Sequence, residues 1–231
     1  MVVFAHGNSS NGADNEPLLR QWAAAGFVVA APTFPLTSIG APGGDDVGDY
    51  VNQPGDVSFV ISQVLQASTK STAPYARAVD PHRIGLIGHS LGAITSLGAA
   101  YNSCCHDPRI SAVVAIDGIE LPYPHGTYFV GNPEPPLLVI HGSADQTIPF
   151  SAGQKTYADA QPPKFFVTLV GAPHTAFHQA NQVDSPRAPW EPVIVASVTD
   201  FFDRYLKGEP GRLEALRAAA SVPGVSTIDP R

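Results

Sequence analysis

Lysine is scarce in this sequence, with four in 231 residues, and charged residues of both signs reach only 14%. The net charge is −7 and no basic patch stands out, which argues against a nucleic-acid partner. No apolar run approaches the roughly 18 residues that a membrane span needs. Neither a basic region nor a long apolar stretch follows Met1, so no signal peptide is recognisable, and a secreted origin with a removed leader also fits. The localisation is therefore unassigned. Cysteine is nearly absent. Cys104 and Cys105 are adjacent and lack CxxC or zinc spacing. A disulfide between neighbours is strained and rare, so two packed thiols are expected and no redox compartment is implied. What is abundant is apolar: 44% of the residues are hydrophobic, which excludes intrinsic disorder. The length suits one α/β domain with a substantial core.

Apolar runs without polar alternation predict strands at residues 2–5, 27–31, 83–87, 113–116, 137–140 and 165–170. Helical spacing is expected over 16–25, from Pro54 and Asp56 to about 67, over 91–101 and over 190–206. Strands of this kind, alternating with helices, imply a mostly parallel sheet of about six strands covered on both faces. A long loop, 33–53, carries Gly43-Gly44-Asp45-Asp46. We assign residues 1–207 to one domain. Residues 208–231 read as a tail with one short helix.

Gly88-His89-Ser90-Leu91-Gly92 fits G-x-S-x-G, with a strand before it and a helix after it. So tight a strand-to-helix turn forces the serine into a strained backbone conformation. Gly88 and Gly92 remove the β-carbons that would collide there. The serine hydroxyl is lifted above the carboxyl edge of the sheet, in front of a helix N-terminus that favours negative charge. Ser90 is the candidate nucleophile, and it needs a base.

Four separated motifs carry a resemblance that covers nearly the whole chain. They are His6-Gly7-Asn8, Gly88 to Gly92, His141-Gly142-Ser143-Ala144-Asp145 and Gly171-Ala172-Pro173-His174. In these the chain resembles the α/β-hydrolase superfamily, and within it the dienelactone-hydrolase-like, chlorophyllase-like and cutinase or polyester-hydrolase-like esterases. The resemblance implies the order nucleophile, acid, histidine. Six of the eight histidines precede residue 142 and fall outside that order. His174 sits in the loop position where the family places its base; His178 reads as packing or surface.

The resemblance places the acid at Asp145, 29 residues before His174. Asp117, at the end of the fourth predicted strand, is the rival acid. The oxyanion hole is expected from the main-chain N–H groups of Leu91, after the nucleophile, and Asn8, after His-Gly. Polyester hydrolases often carry a methionine and an aromatic at those two positions, and this chain departs from them. Only nineteen residues, 118–136, follow the fourth predicted strand, and five are prolines, so no helical cap is expected. Ile119, Leu121, Tyr123, Phe177 and Trp190 are the candidate rim of an open site.

The resemblance implies a serine esterase acting on short or medium acyl esters, or on polyesters, with no metal and no organic cofactor. A thioesterase, an amidase or a cofactor-free perhydrolase would use the same triad, and a non-catalytic binding protein is the remaining alternative. By the family's strand order, the run at 2–5 is the third of eight strands, and the antiparallel hairpin before it is missing. The edge from Phe27 to Ala31 would then be bare, which predicts homodimerisation there.

Overall fold

The structure, a computed structural model, describes residues 1–131, 133–177 and 189–230. Its core is a seven-stranded sheet: β1 (Val2–Ala5), β2 (Val29–Ala30), β3 (Ile84–His89), β4 (Ile110–Ile116), β5 (Leu137–Gly142), β6 (Lys164–Leu169) and β7 (Ser226–Pro230). The spatial order is β2-β1-β3-β4-β5-β6-β7. β1 to β6 pair in parallel, and β7 runs antiparallel to β6.

Alternating side chains along each strand feed two apolar layers. Val2 and Phe4 pack with Leu18 and Trp22 of α1 (Glu16–Ala24), with Phe201 and Phe202 of α5 (Glu191–Tyr205), and with Leu216 of α6 (Arg212–Ala220). Val3 and Leu86 pack on the other face with Ile61 of α2 (Gln53–Ser68), Leu97 of α3 (Leu91–Tyr101) and Tyr157 of α4 (Phe150–Asp159).

The expected strand at 27–31 shrinks to a two-residue ladder. Gly26, at φ +92°, closes α1, and the Phe27 N–H still donates to the Trp22 carbonyl 3.3 Å away. Pro32 follows at once.

Two expectations are corrected. The tail at 208–231 is built into the fold. Leu216 and Ala220 are fully buried, and Ser226 to Pro230 form a seventh strand in register with β6. Its segment, Ser-Thr-Ile-Asp-Pro, lacks the apolar run that marks the buried strands. Cys104 and Cys105 are bonded to each other rather than packed as two thiols. The Asn102 carbonyl and side chain both accept main-chain N–H groups of this pair, closing a turn just after α3.

Register sets where chemistry gathers. Ala5 pairs with Gly88, Gly88 with Ala115, Ile116 with Ile140, and Gly142 with Leu169. The parallel strands therefore end level, and the residues that follow them meet along one carboxyl edge. No helix interrupts 118–136 among the described residues.

Candidate active site

Ser90 stands between β3 and α3 at φ +55° and ψ −121°, a conformation L-residues seldom hold. Three neighbours hold it there. Its N–H donates to the Ile116 carbonyl of β4 at 2.9 Å, and its carbonyl accepts from Ala93 and Ile94 in the first turn of α3. A β-carbon at Gly88 would strike the Gly92 carbonyl, and one at Gly92 would strike the backbone of Ala5. The two glycines let strand, turn and β1 close on one point.

His174 lies beyond β6, in a loop opened by Gly171 at φ +69°. The Ala144 N–H donates to the Ala172 carbonyl at 3.0 Å, which ties this loop to the one after β5. His174 Nε2 is 2.9 Å from Ser90 Oγ, and Nδ1 is 2.7 Å from Asp145 Oδ2. A carboxylate only accepts, so Nδ1 carries the proton and Nε2 accepts from the serine hydroxyl. The other Asp145 oxygen, Oδ1, accepts main-chain N–H groups of Thr147 and Ile148 at 2.8 and 2.9 Å. His89 Nε2, 3.3 Å from the His174 carbonyl, steadies the loop from beneath.

Asp117 is fully buried beside this chain, at φ +49°. Its Oδ1 accepts the Gly142 N–H at 2.8 Å, and its Oδ2 has no hydrogen-bond partner among the described residues. Burial, opposed by that hydrogen bond and reinforced by the Asp145 charge, pushes its carboxyl up to about 8. At neutral pH it is a neutral acid. His141 Nε2 donates to the Ile148 carbonyl at 3.0 Å and lies 3.5 Å from Asp145 Oδ2. Burial lowers its pKa from the ordinary histidine value.

Within these groups, His89, Asp117 and His174, and again Asp117, His141 and Asp145, bring ligand-type atoms within 4.8 Å of one another. Both ring nitrogens of His174 and both oxygens of Asp145 already have hydrogen-bond partners, whereas Asp117 Oδ2 has none among the described residues.

Leu91 opens α3 and Asn8 follows β1, and neither main-chain N–H is engaged by a described group. A β-carbon on Gly7 would lie 3.3 Å from Ser90 Cβ, so the loop bearing Asn8 rests against the serine. Of the expected rim, Ile119, Leu121 and Trp190 are half-buried. Tyr123 and Phe177 are not rim residues. Tyr123 is buried and its hydroxyl donates to the Ile94 carbonyl of α3, while Phe177 is stacked between His89 and Phe4. His178 lies outside the described residues.

A family model described as "Alpha/beta hydrolase family" matches residues 2–229. The chain belongs to the alpha/beta hydrolase family. The match takes in β1 to β6, the turn at Ser90 and β7 as far as residue 229. A search of curated proteins finds no match.

Asp45, from the long loop, accepts the Asn8 side-chain amide at 3.2 Å and also bonds the Ser9 hydroxyl. His89 and His141, whose motif positions point to a structural or site-lining place, meet the His174 and Ile148 carbonyls respectively. The sole signal for the two histidines was their place at the ends of strands.

Proposed function

We propose that this hydrolase cleaves carboxylic esters through an acyl-enzyme on Ser90. The observation that carries the reading is the continuous Ser90–His174–Asp145 chain, with heavy-atom distances of 2.9 and 2.7 Å. His174 takes the proton as Ser90 attacks and returns it to the leaving alcohol. Asp145 holds the reactive tautomer and stabilises the imidazolium. The Leu91 and Asn8 N–H groups receive the oxyanion, whose negative charge the α3 N-terminus also favours. Water then repeats the sequence on the acyl-enzyme.

An uncapped loop at 118–136 supports an accessible site for short and medium acyl esters, and for polyester chains as in cutinase-like esterases. The half-buried Ile119, Leu121 and Trp190 are the apolar groups to test for acyl preference. Two copies pair along the outer edge of β2, the end strand of the sheet. Sedimentation showing only monomer would remove that pairing.

The function is tested with a p-nitrophenyl ester series and a fluorophosphonate probe. Ser90→Ala should abolish both turnover and labelling. Undiminished turnover in that variant would overturn the proposal.

A further inference from the structure

His6 is fully buried at the end of β1, and its surroundings permit one tautomer. The Phe34 N–H points at Nε2 from 2.9 Å. A main-chain amide only donates, so Nε2 presents a lone pair and Nδ1 carries the proton. Nδ1 is 2.8 Å from the Gly7 carbonyl oxygen and donates to it. Burial lowers the pKa of this ring, which keeps it neutral.

The Gly7 carbonyl and the Asn8 N–H belong to one planar trans peptide and point in opposite directions. Whatever holds the oxygen therefore aims the N–H. The far side of the same segment is held as well. Ser9, at φ +53°, donates its N–H to the Thr37 carbonyl at 2.8 Å, and the Asn8 amide reaches Asp45 at 3.2 Å. Both anchors, like Phe34, come from the stretch of chain after β2. A peptide free to turn would swing its carbonyl toward the oxyanion and replace attraction with repulsion.

We propose that His6 is a positioning residue for the oxyanion hole: it takes its orientation from the Phe34 N–H and, through the Gly7 carbonyl, aims the Asn8 N–H at the reacting carbon's oxygen. The inference rests on the reading of Asn8 as an oxyanion donor. It assigns His6 no contact with substrate and no proton transfer.

Two replacements separate the halves of the ring's task. Glutamine carries a carbonyl oxygen to the depth of Nε2, where it accepts from Phe34, and leaves nothing at Nδ1. Asparagine places an amide near the depth of Nδ1 and donates to Gly7. Complete loss of an oxyanion donor typically costs about 10²–10³ in kcat, so a misaimed one should cost at least about tenfold. We expect His6→Gln to show that fall with KM within about threefold, since ground-state binding does not use the donor fully. The inhibition constant of an alkyl boronic acid, which Ser90 converts to a tetrahedral anion, should rise in parallel. His6→Asn should keep more of kcat than His6→Gln. A kcat within about twofold of the parent in His6→Gln, an unchanged boronate constant, or an equal loss in His6→Asn would each overturn the role. Ser90→Ala is measured alongside. Full activity there overturns the esterase reading itself, whereas an inactive Ser90→Ala beside an unimpaired His6→Gln removes only the role of His6. Should either variant fail to fold, nitrogen-15 NMR of the unaltered protein decides: a proton on Nδ1 of His6 supports the role, and a proton on Nε2 overturns it.

Discussion

Asp145 meets His174 with one oxygen, 2.7 Å from Nδ1, and gives the other to two backbone amides of its own turn. The carboxylate is thus fixed in rotation as well as in charge. A side chain held at one oxygen by rigid backbone can orient an imidazole without itself moving. Asp117 has no such arrangement, since its single described hydrogen bond goes to Gly142 and it is neutral near pH 7.

The first prediction ranks the two acids. Asp145→Asn should favour the wrong histidine tautomer and lower kcat by about 10⁴, as loss of the charged partner does in comparable triads. Asp117→Asn should stay within about tenfold of the parent, because an amide resembles the neutral acid already present. Steady-state kinetics on one soluble ester checks both, and the opposite ranking would transfer the acid role to Asp117.

The second concerns pH and stability. The Asp117 pKa rises from 3.8 when unfolded to about 8 when folded. Between those values the folded chain holds a proton that the unfolded chain has released, so stability falls as pH rises through this window. Asparagine cannot release that proton. The melting temperature of Asp117→Asn relative to the parent should therefore climb steadily from pH 5 to pH 8. A difference that is constant with pH would show that Asp117 does not titrate in this way.

The third separates fold from chemistry. Leu216, on α6, is fully buried in the apolar cluster that also holds Phe201 and Phe202 of α5, far along the chain from Ser90. Leu216→Ala should cost about 2–5 kcal/mol in urea unfolding, as cavity-forming core truncations do. Its kcat at low temperature should be unchanged. A stability loss under about 0.5 kcal/mol would mean that the tail is not part of the cooperative unit.

Much of this was legible beforehand, for identifiable reasons. Ser90 announced itself because a tight strand-to-helix turn tolerates so few residues at positions 88 and 92. The strands ending at Ala5, His89, Ile116 and Gly142 were legible as apolar runs, since a sheet covered on both faces needs them. β7 was hidden because an edge strand, buried on fewer sides, can be built from Ser, Thr, Ile, Asp and Pro. Tyr123 and Phe177 were misread as rim because an aromatic side chain in a loop gives no sign of which way it turns. The clamp from Phe34, Thr37 and Asp45 was invisible, because contacts between two loops leave no periodic trace in either.

The crossing of chain segments at the nucleophile bears on which motions can reach it. Ser90 donates its amide hydrogen to β4, follows directly from β3, and is pinned to β1 through Gly92. No local fluctuation of one loop frees that amide; central strands must part first. Its exchange with heavy water should therefore proceed only through the deepest opening of the molecule, while Asn8, one layer away on an exposed loop, exchanges through shallow ones. On the proposed reading of the site, Ser90 and one of its two oxyanion donors, Asn8, then sit on opposite rungs of the protein's opening hierarchy, so a solvent that softens the surface would loosen the Asn8 donor long before it disturbed the serine or the buried Leu91.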